Sequence, residues 1–175
     1  KAPGKRNLFQ ENFLDPKQSQ KKGGRTPALA GWRPEGGSMM NDLMRRVEEG
    51  IQKQSFGTML GLKAVAAEAG CVTISCEKRA DLLQQTGLLH GGVTGALCEA
   101  AAAYAALTVL PEGQSVIGVE YKINFLRAIT SDKAIAVAKV IKQGRQLIVV
   151  DVEAFNEGSD KVAAKMIFTG TPVVG

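Results

Sequence analysis

The sequence predicts an α+β domain in which one long, small-residue-rich helix is followed by a largely antiparallel sheet. Two observations carry that prediction. The stretch LLHGGVTGALCEAAAAYAALTVLP, residues 88–111, holds only two readily ionisable side chains, His90 and Glu99. Its Ala- and Leu-rich middle suits a helix that packs on nearly all sides, with Leu97, Tyr104 and Leu107 filling the gaps. After Pro111 the pattern changes to period-two alternation and keeps it through four successive segments. A doubly wound fold would require several more strand–helix alternations.

In chain order, NDLMRRVEEGIQKQ from Asn41 places Leu43, Met44, Val47 and Ile51 at helical spacing, with Arg45, Arg46, Glu48 and Glu49 outward and Asn41 in position to cap. The stretch from Phe56 to Leu62 reads as a turn. It leads into two strands, Leu62–Glu68 and Cys71–Arg79, joined at Ala69 and Gly70; in the second, Val72, Ile74 and Cys76 share one side. Ala80–Leu89 reads as one helical turn and a loop that delivers the chain into His90, Gly91 and Gly92. The central helix begins near Val93 and stops before Pro111, Glu112 and Gly113.

The four later strands are Ser115–Leu126, Lys133–Lys142, Gln146–Asn156 and Lys161–Thr169. In the first, Ile117, Val119, Tyr121, Ile123 and Phe125 fall on one face; in the last, Val162, Ala164, Met166 and Phe168 do. Gln143, Gly144 and Arg145 make one connecting turn, and Glu157, Gly158, Ser159 and Asp160 another.

The formal charge of +5 would suggest nucleic acid until it is mapped. Residues 1–38 hold eight basic and three acidic side chains, an excess equal to that of the whole chain, and the remaining fourteen of each sign cancel. The basic character therefore belongs to a leader, read as a tag or linker or as a natural arm with Trp32 as its docking residue. A domain spans 39–175. This distribution argues against a nucleic-acid function for the domain. Cys71, Cys76 and Cys98 are an odd number without a CxxC pair, and one histidine leaves little from which to build a metal site. They read as reduced core cysteines of a cytoplasmic protein, with an isolated thiol nucleophile as the lesser alternative. No strongly apolar run reaches the length of about 20 residues needed to span a membrane, and no signal-peptide pattern opens the chain.

Glu99 demands a reason. A carboxylate on an apolar helix must lose water, find donors or take up a proton. At the helix entrance, Gly91 and Gly92 offer amide N–H groups that can face a carbonyl oxygen and stabilise charge developing on it. Yet Glu99 lies about 13 Å from His90 along a helical path at 1.5 Å per residue. That separation is awkward for a catalytic pair within one subunit. It suits a site between two subunits whose helices run antiparallel or cross.

Across residues 40–170 the chain resembles hotdog-fold acyl-CoA thioesterases, particularly the phenylacetate-pathway type and the 4-hydroxybenzoyl-CoA thioesterases. The resemblance rests on Gln84-Gln85-Thr86-Gly87-Leu88-Leu89-His90-Gly91-Gly92 followed by Glu99. Tyr121-Lys122-Ile123-Asn124-Phe125-Leu126-Arg127 and Val140-Ile141-Lys142-Gln143-Gly144-Arg145 add to it. It implies a hotdog fold, with a curved, largely antiparallel sheet wrapped around the long central helix. It further implies a homodimer, often a dimer of dimers, with acyl-CoA bound at the dimer interface and the acidic residue supplied across it.

On this resemblance the expected reaction is hydrolysis of an acyl-CoA thioester to a free acid and coenzyme A, with no cofactor beyond the coenzyme A of the substrate. The Gly91 N–H would face the thioester carbonyl, and Glu99 of the partner would either attack that carbonyl or activate water. Gln84 and His90 match family positions that arrange the loop. Gly92, Ala96 and Tyr104 are expected around the acyl group, and Arg127, Lys142 and Arg145 around the phosphates of coenzyme A.

Each residue has a plainer reading. His90 can simply bond the turn, Gly91 and Gly92 can serve packing, Glu99 can be an interface carboxylate, and Gln84 a neutral loop clamp. Many relatives carry Asn and Asp where this chain has Gln84 and Glu99, and the Gln/Glu combination resembles the 4-hydroxybenzoyl-CoA branch. Arg127 stands beside Ala128 where relatives often have proline. The function alternative is a noncatalytic acyl-CoA or acyl-carrier binding module; a hotdog dehydratase is a second enzyme alternative.

Overall fold

The computed structural model of the chain describes residues 42–174. The expected basic leader, residues 1–38, lies outside the described residues, as does the capping position Asn41. Helix α1, Asp42–Lys53, buries Val47 and Ile51. On its outer side Arg45 reaches Asp42 and Glu49, each at 3.4 Å. A second, short helix, α2, runs Ser55–Leu60 where a turn was expected. Phe56, Met59 and Leu60 sit at i, i+3 and i+4, and Gly61 at φ +70° ends the helix in the left-handed conformation. That spacing and the following glycine were a legible helix signal.

Strands β1, Leu62–Glu68, and β2, Cys71–Glu77, form a hairpin. A 3-10 turn at Ala80–Leu82 and a closed loop then lead into α3, Gly91–Leu107. The remaining strands are β3, Gln114–Phe125; β4, Lys133–Gln143; β5, Ile148–Asn156; and β6, Val162–Val174. They join in one six-stranded sheet of order β1-β2-β4-β5-β6-β3, with every neighbouring pair antiparallel. One face of the sheet is apolar: Val72, Ile74 and Cys76 of β2, Ala134, Ala136 and Ala138 of β4, Val150 and Val152 of β5, and Met166 and Phe168 of β6 are all buried in the core.

The α+β class and the antiparallel pairing agree with expectation, but a curved sheet wrapped around the helix does not. The sheet is open, with β1 and β3 as its two edges, and α3 lies along it. The helix surface explains why. Leu97, Cys98, Ala101, Ala102, Ala105 and Ala106 are completely buried. By contrast, Gly92, Ala96, Glu99, Ala103 and Leu107, three or four residues apart, form a stripe that stays wholly or partly accessible. Alanines on α3 and on β4 let helix and strand approach closely, so the helix buries its apolar side against an open sheet. The remaining stripe is made mostly of small residues, with Glu99 its one ionisable side chain.

Strand β3 departs from simple alternation. Its register with β6 shifts between Gly118 and Glu120, leaving Val119 as the extra residue of a bulge. Tyr121, Ile123 and Phe125 therefore pair with Phe168, Met166 and Ala164 on the helix-bearing face, while Ile117 pairs with Thr171 on the other. The expected single row from Ile117 to Phe125 is split in two.

Candidate active site

The helix entrance is built by a loop that closes on itself. Leu83 and Leu89 form a bridge, the Gln84 N–H donates to Leu88 O at 2.9 Å, and the Gly87 N–H donates to Gln84 O at 2.9 Å. Gly87, at φ +77°, takes a conformation that side chains disfavour. Gln84 thus clamps the loop through its backbone.

His90 is the N-cap of α3. Its N–H donates to Leu82 O at 2.9 Å, and its own carbonyl accepts from Val93 and Thr94 at 3.0 and 3.1 Å. Its Nδ1 accepts the Gly92 N–H at 2.9 Å. In the neutral ring this leaves the proton on Nε2. Gly92 is thereby satisfied, whereas the Gly91 N–H has no acceptor among the described residues. Gly91 is the first residue of the helix, where unpaired N–H groups and the helix dipole favour negative charge.

Farther along α3, Glu99 lines a cleft of about 580 Å³ together with Gly92, Ala96, Phe56, Gly118, Val119, Glu120, Tyr121 and Phe168. Gly118 gives room to the Phe168 ring, which a Cβ built there would approach to 3.2 Å; the same Cβ would lie in ordinary contact, 3.7 Å, with Glu99 Oε1. Glu99 has no hydrogen-bond or ion-pair partner among the described residues. Burial raises its carboxyl above the ordinary value of 4.5.

The expected site residues therefore divide. Gly92, Ala96 and Glu99 share the cleft, and Gln84, His90 and Gly91 shape the helix entrance beside it. Tyr104 does not line the cleft; it is buried against Gly50 of α1, with its hydroxyl lacking a partner among the described residues. Arg127 donates to Val162 O at 2.7 Å at the end of the sheet that also holds the start of β4. Lys142, near the end of β4, and Arg145, in the connection after it, lie at the opposite end, roughly 25 Å away along the strands at about 3.3 Å per residue. One chain does not gather these three cations.

Sequence reasoning missed Phe56, Gly118, Val119, Glu120, Tyr121 and Phe168 as cleft residues. Phe56 was hidden by the unrecognised α2, the four β3 residues by the bulge that re-aims their strand, and Phe168, on β6, by reading as core. Among the described residues, no group of three His, Cys, Asp or Glu side chains could hold a metal, and no helix is long and apolar enough to cross a membrane. The three cysteines are free, and burial pushes the Cys98 thiol up to about 12, far from the reactive range.

An antiparallel sheet carrying one long helix, with a cleft beside that helix, is the architecture of the hotdog class. The family profile of the thioesterase superfamily matches residues 86–163. A Pseudomonas aeruginosa protein named as an esterase is 30% identical over 126 residues, covering 71% of this chain and 87% of that protein. A thioesterase family protein from Silicibacter pomeroyi superposes with a TM-score of 0.71 at 29% identity, covering 76% of this chain and 99% of that one. The PaaI protein of the Escherichia coli phenylacetic acid degradation operon shares the fold, with a TM-score of 0.70 at 23% identity over 79% of this chain and 98% of that one. This chain belongs to the hotdog-fold thioesterase superfamily, and with that membership comes hydrolase chemistry.

Proposed function

We propose that this protein hydrolyses an acyl-CoA thioester to a free acid and coenzyme A, at a site that two copies build together. One observation carries the reading: Gly91 and Glu99 belong to the same uninterrupted helix, eight residues and about 12 Å apart at 1.5 Å per residue. A donor and a carboxylate at that separation do not act on one carbonyl, but the Gly91 of one copy and the Glu99 of another can.

The free edge of β3 supplies the route to pairing. Ile117, Val119, Tyr121 and Phe125 are each more than half exposed on an edge strand whose outer side is free and which borders the cleft. Such an edge is covered by a second copy in antiparallel, two-fold fashion. The Gly91 N–H then receives the developing oxyanion, strengthened by the helix dipole. Glu99 of the other copy either attacks the carbonyl, expelling the coenzyme A thiolate and forming an anhydride that water cleaves, or takes a proton from the water that attacks.

The test separates the two halves of the site. Gly91→Pro removes that single N–H, and proline is well accepted at the first helical position after an extended residue such as His90, at φ −63°, ψ 137°. Gly91→Ala keeps the N–H and serves as control. Gly91→Pro and Glu99→Gln each lower turnover by roughly 100-fold or more. Co-expressed, they regain about a quarter of wild-type activity, the statistical share of intact sites in randomly mixed two-fold dimers. No recovery would reject the shared site. Tight binding of acyl-CoA without turnover by the parent would point instead to a binding module.

A further inference from the structure

We propose that Phe125 is a positioning residue for the reaction: its ring walls the Gly91 amide off from water, so that the N–H meets the thioester carbonyl in a dry setting; this rests on the thioester reading above. Two pairs of residues set the ring in place. On β3, Tyr121 and Phe125 point to the side that carries the helix and pair with Phe168 and Ala164 of β6. On α3, Gly91 and Gly95 lie four residues apart on one face. A Cβ built on Gly95 would lie 3.9 Å from the Tyr121 hydroxyl, and one on Gly91 would lie 3.4 Å from Phe125 Cζ. Strand and helix thus run in opposite directions, with an aromatic side chain set against a glycine at each of two points.

The end of β3 that carries the ring is firmly held. The Leu126 and Arg127 N–H groups both donate to Ala163 O, at 2.8 and 3.0 Å. Coverage of the amide shows in the exposure of the helix entrance. His90 and Gly92 are exposed, whereas Gly91 between them is half-buried. The three atoms nearest a Cβ at Gly91 all belong to the Phe125 ring. Because a Cβ sits about 2.5 Å from its own backbone nitrogen, Phe125 Cζ lies within about 6 Å of the Gly91 nitrogen.

A backbone N–H without a protein acceptor is ordinarily bonded to water, which an incoming carbonyl must displace. A hydrocarbon wall beside the donor weakens that hydration and lowers the local dielectric, so charge developing on the carbonyl oxygen is stabilised more strongly. The ring itself stays 51% exposed, which leaves its other side for the substrate to cover. It makes no bond in the reaction; it acts through Gly91.

The experiment compares the parent with Phe125→Ala, Phe125→Leu and Leu126→Ala, and sets Gly91→Pro into both the parent and Phe125→Ala, all at unchanged oligomeric state. Thiol release is followed from benzoyl-CoA and hexanoyl-CoA, and glycine amide exchange by NMR with isotopically labelled glycine. Phe125→Ala lowers kcat by roughly 10-fold and moves KM by less than about 3-fold. Gly91→Pro costs roughly 100-fold in the parent but only about 10-fold once the ring is gone, because the amide it removes is already wet. Phe125→Leu puts an apolar cover back and regains most of kcat, while Leu126→Ala, at a neighbour that is 45% exposed, leaves kcat unchanged. In Phe125→Ala the Gly91 amide exchanges at least about 10-fold faster, whereas the Gly92 amide, held by His90, keeps its rate. Unaltered Gly91 exchange, an equal cost of Gly91→Pro with and without the ring, or a loss in Phe125→Ala that falls on KM alone overturns the proposal. If the parent releases no thiol while the ring still governs Gly91 exchange, the thioester reading fails and the shielding stands. If thiol release is rapid and Gly91 exchange ignores the ring, the shielding alone fails.

Discussion

The Nδ1 of His90 accepts the Gly92 N–H at 2.9 Å, so the two glycine amides at the entrance of α3 have different fates. One is tied to the cap and the other has no acceptor among the described residues. A role for His90 as cap makes a specific demand. His90→Ala lowers stability by about 1 kcal/mol, the usual cost of losing an N-cap acceptor. His90→Asn, whose side-chain oxygen can accept the same N–H, restores the melting temperature and most of the turnover. Thermal denaturation beside thiol release reads both; stability restored without turnover would give the imidazole a part in the chemistry.

Glu99 predicts an inverted pH effect on stability. Its carboxyl is raised above 4.5 by burial, so just above that pH the folded protein keeps a proton that the unfolded chain has lost. Stability therefore falls as pH rises through the window between 4.5 and the raised folded value, and stays at the lower level beyond it. Glu99→Gln removes this loss. The variant matches its parent at pH 4 and is more stable at pH 8, by urea midpoints, although it has lost its activity.

The exposed β3 edge predicts that assembly and activity fail together. Val119→Lys places a charge on the bulge residue of that edge, where the native side chain is 58% exposed and few contacts within the chain are at risk. Light scattering is expected to give a monomer with an unchanged circular dichroism spectrum and little thiol release. A fully active monomer would remove the need for a second copy.

Tyr104 predicts a stability gain. Its hydroxyl is buried without a partner among the described residues, and burial, then Glu99 and Glu48, push it up to about 12. Tyr104→Phe removes the unsatisfied group and raises stability by up to about 1 kcal/mol. Gly50→Ala does the reverse, because a Cβ there would lie 2.6 Å from Tyr104 Cε1; overpacking of this kind costs about 1–3 kcal/mol. Chemical denaturation of both variants checks the pair.

Local chemistry explains what was legible beforehand. The hairpin through Gly70, the run from Ile148 to Asn156 and the apolar length of α3 are written in residue types and periods that need no distant partner. The β3 bulge is not, because it is defined by the register against β6. The position of α3 on an open sheet depends on how closely alanines from separate segments approach, which alternation along one segment does not encode. Glu99 stood out as a carboxylate on an apolar helix and His90 as the residue before two glycines, whereas Gln84, among polar neighbours, was marked only by the resemblance. Phe56 carried no such contrast, since an apolar ring in a short segment looks like core until its exposure is known.

The irregularity in β3 has a bearing on fidelity. A twelve-residue edge strand with exposed apolar side chains is a template on which unrelated extended chains can grow. The bulge at Val119 divides its ladder of donors and acceptors into two shorter runs out of step with each other. A regular strand can match one run or the other, whereas a second β3, carrying the same offset, can match both. The defect acts as a key cut into the edge, favouring self-recognition over indiscriminate stacking.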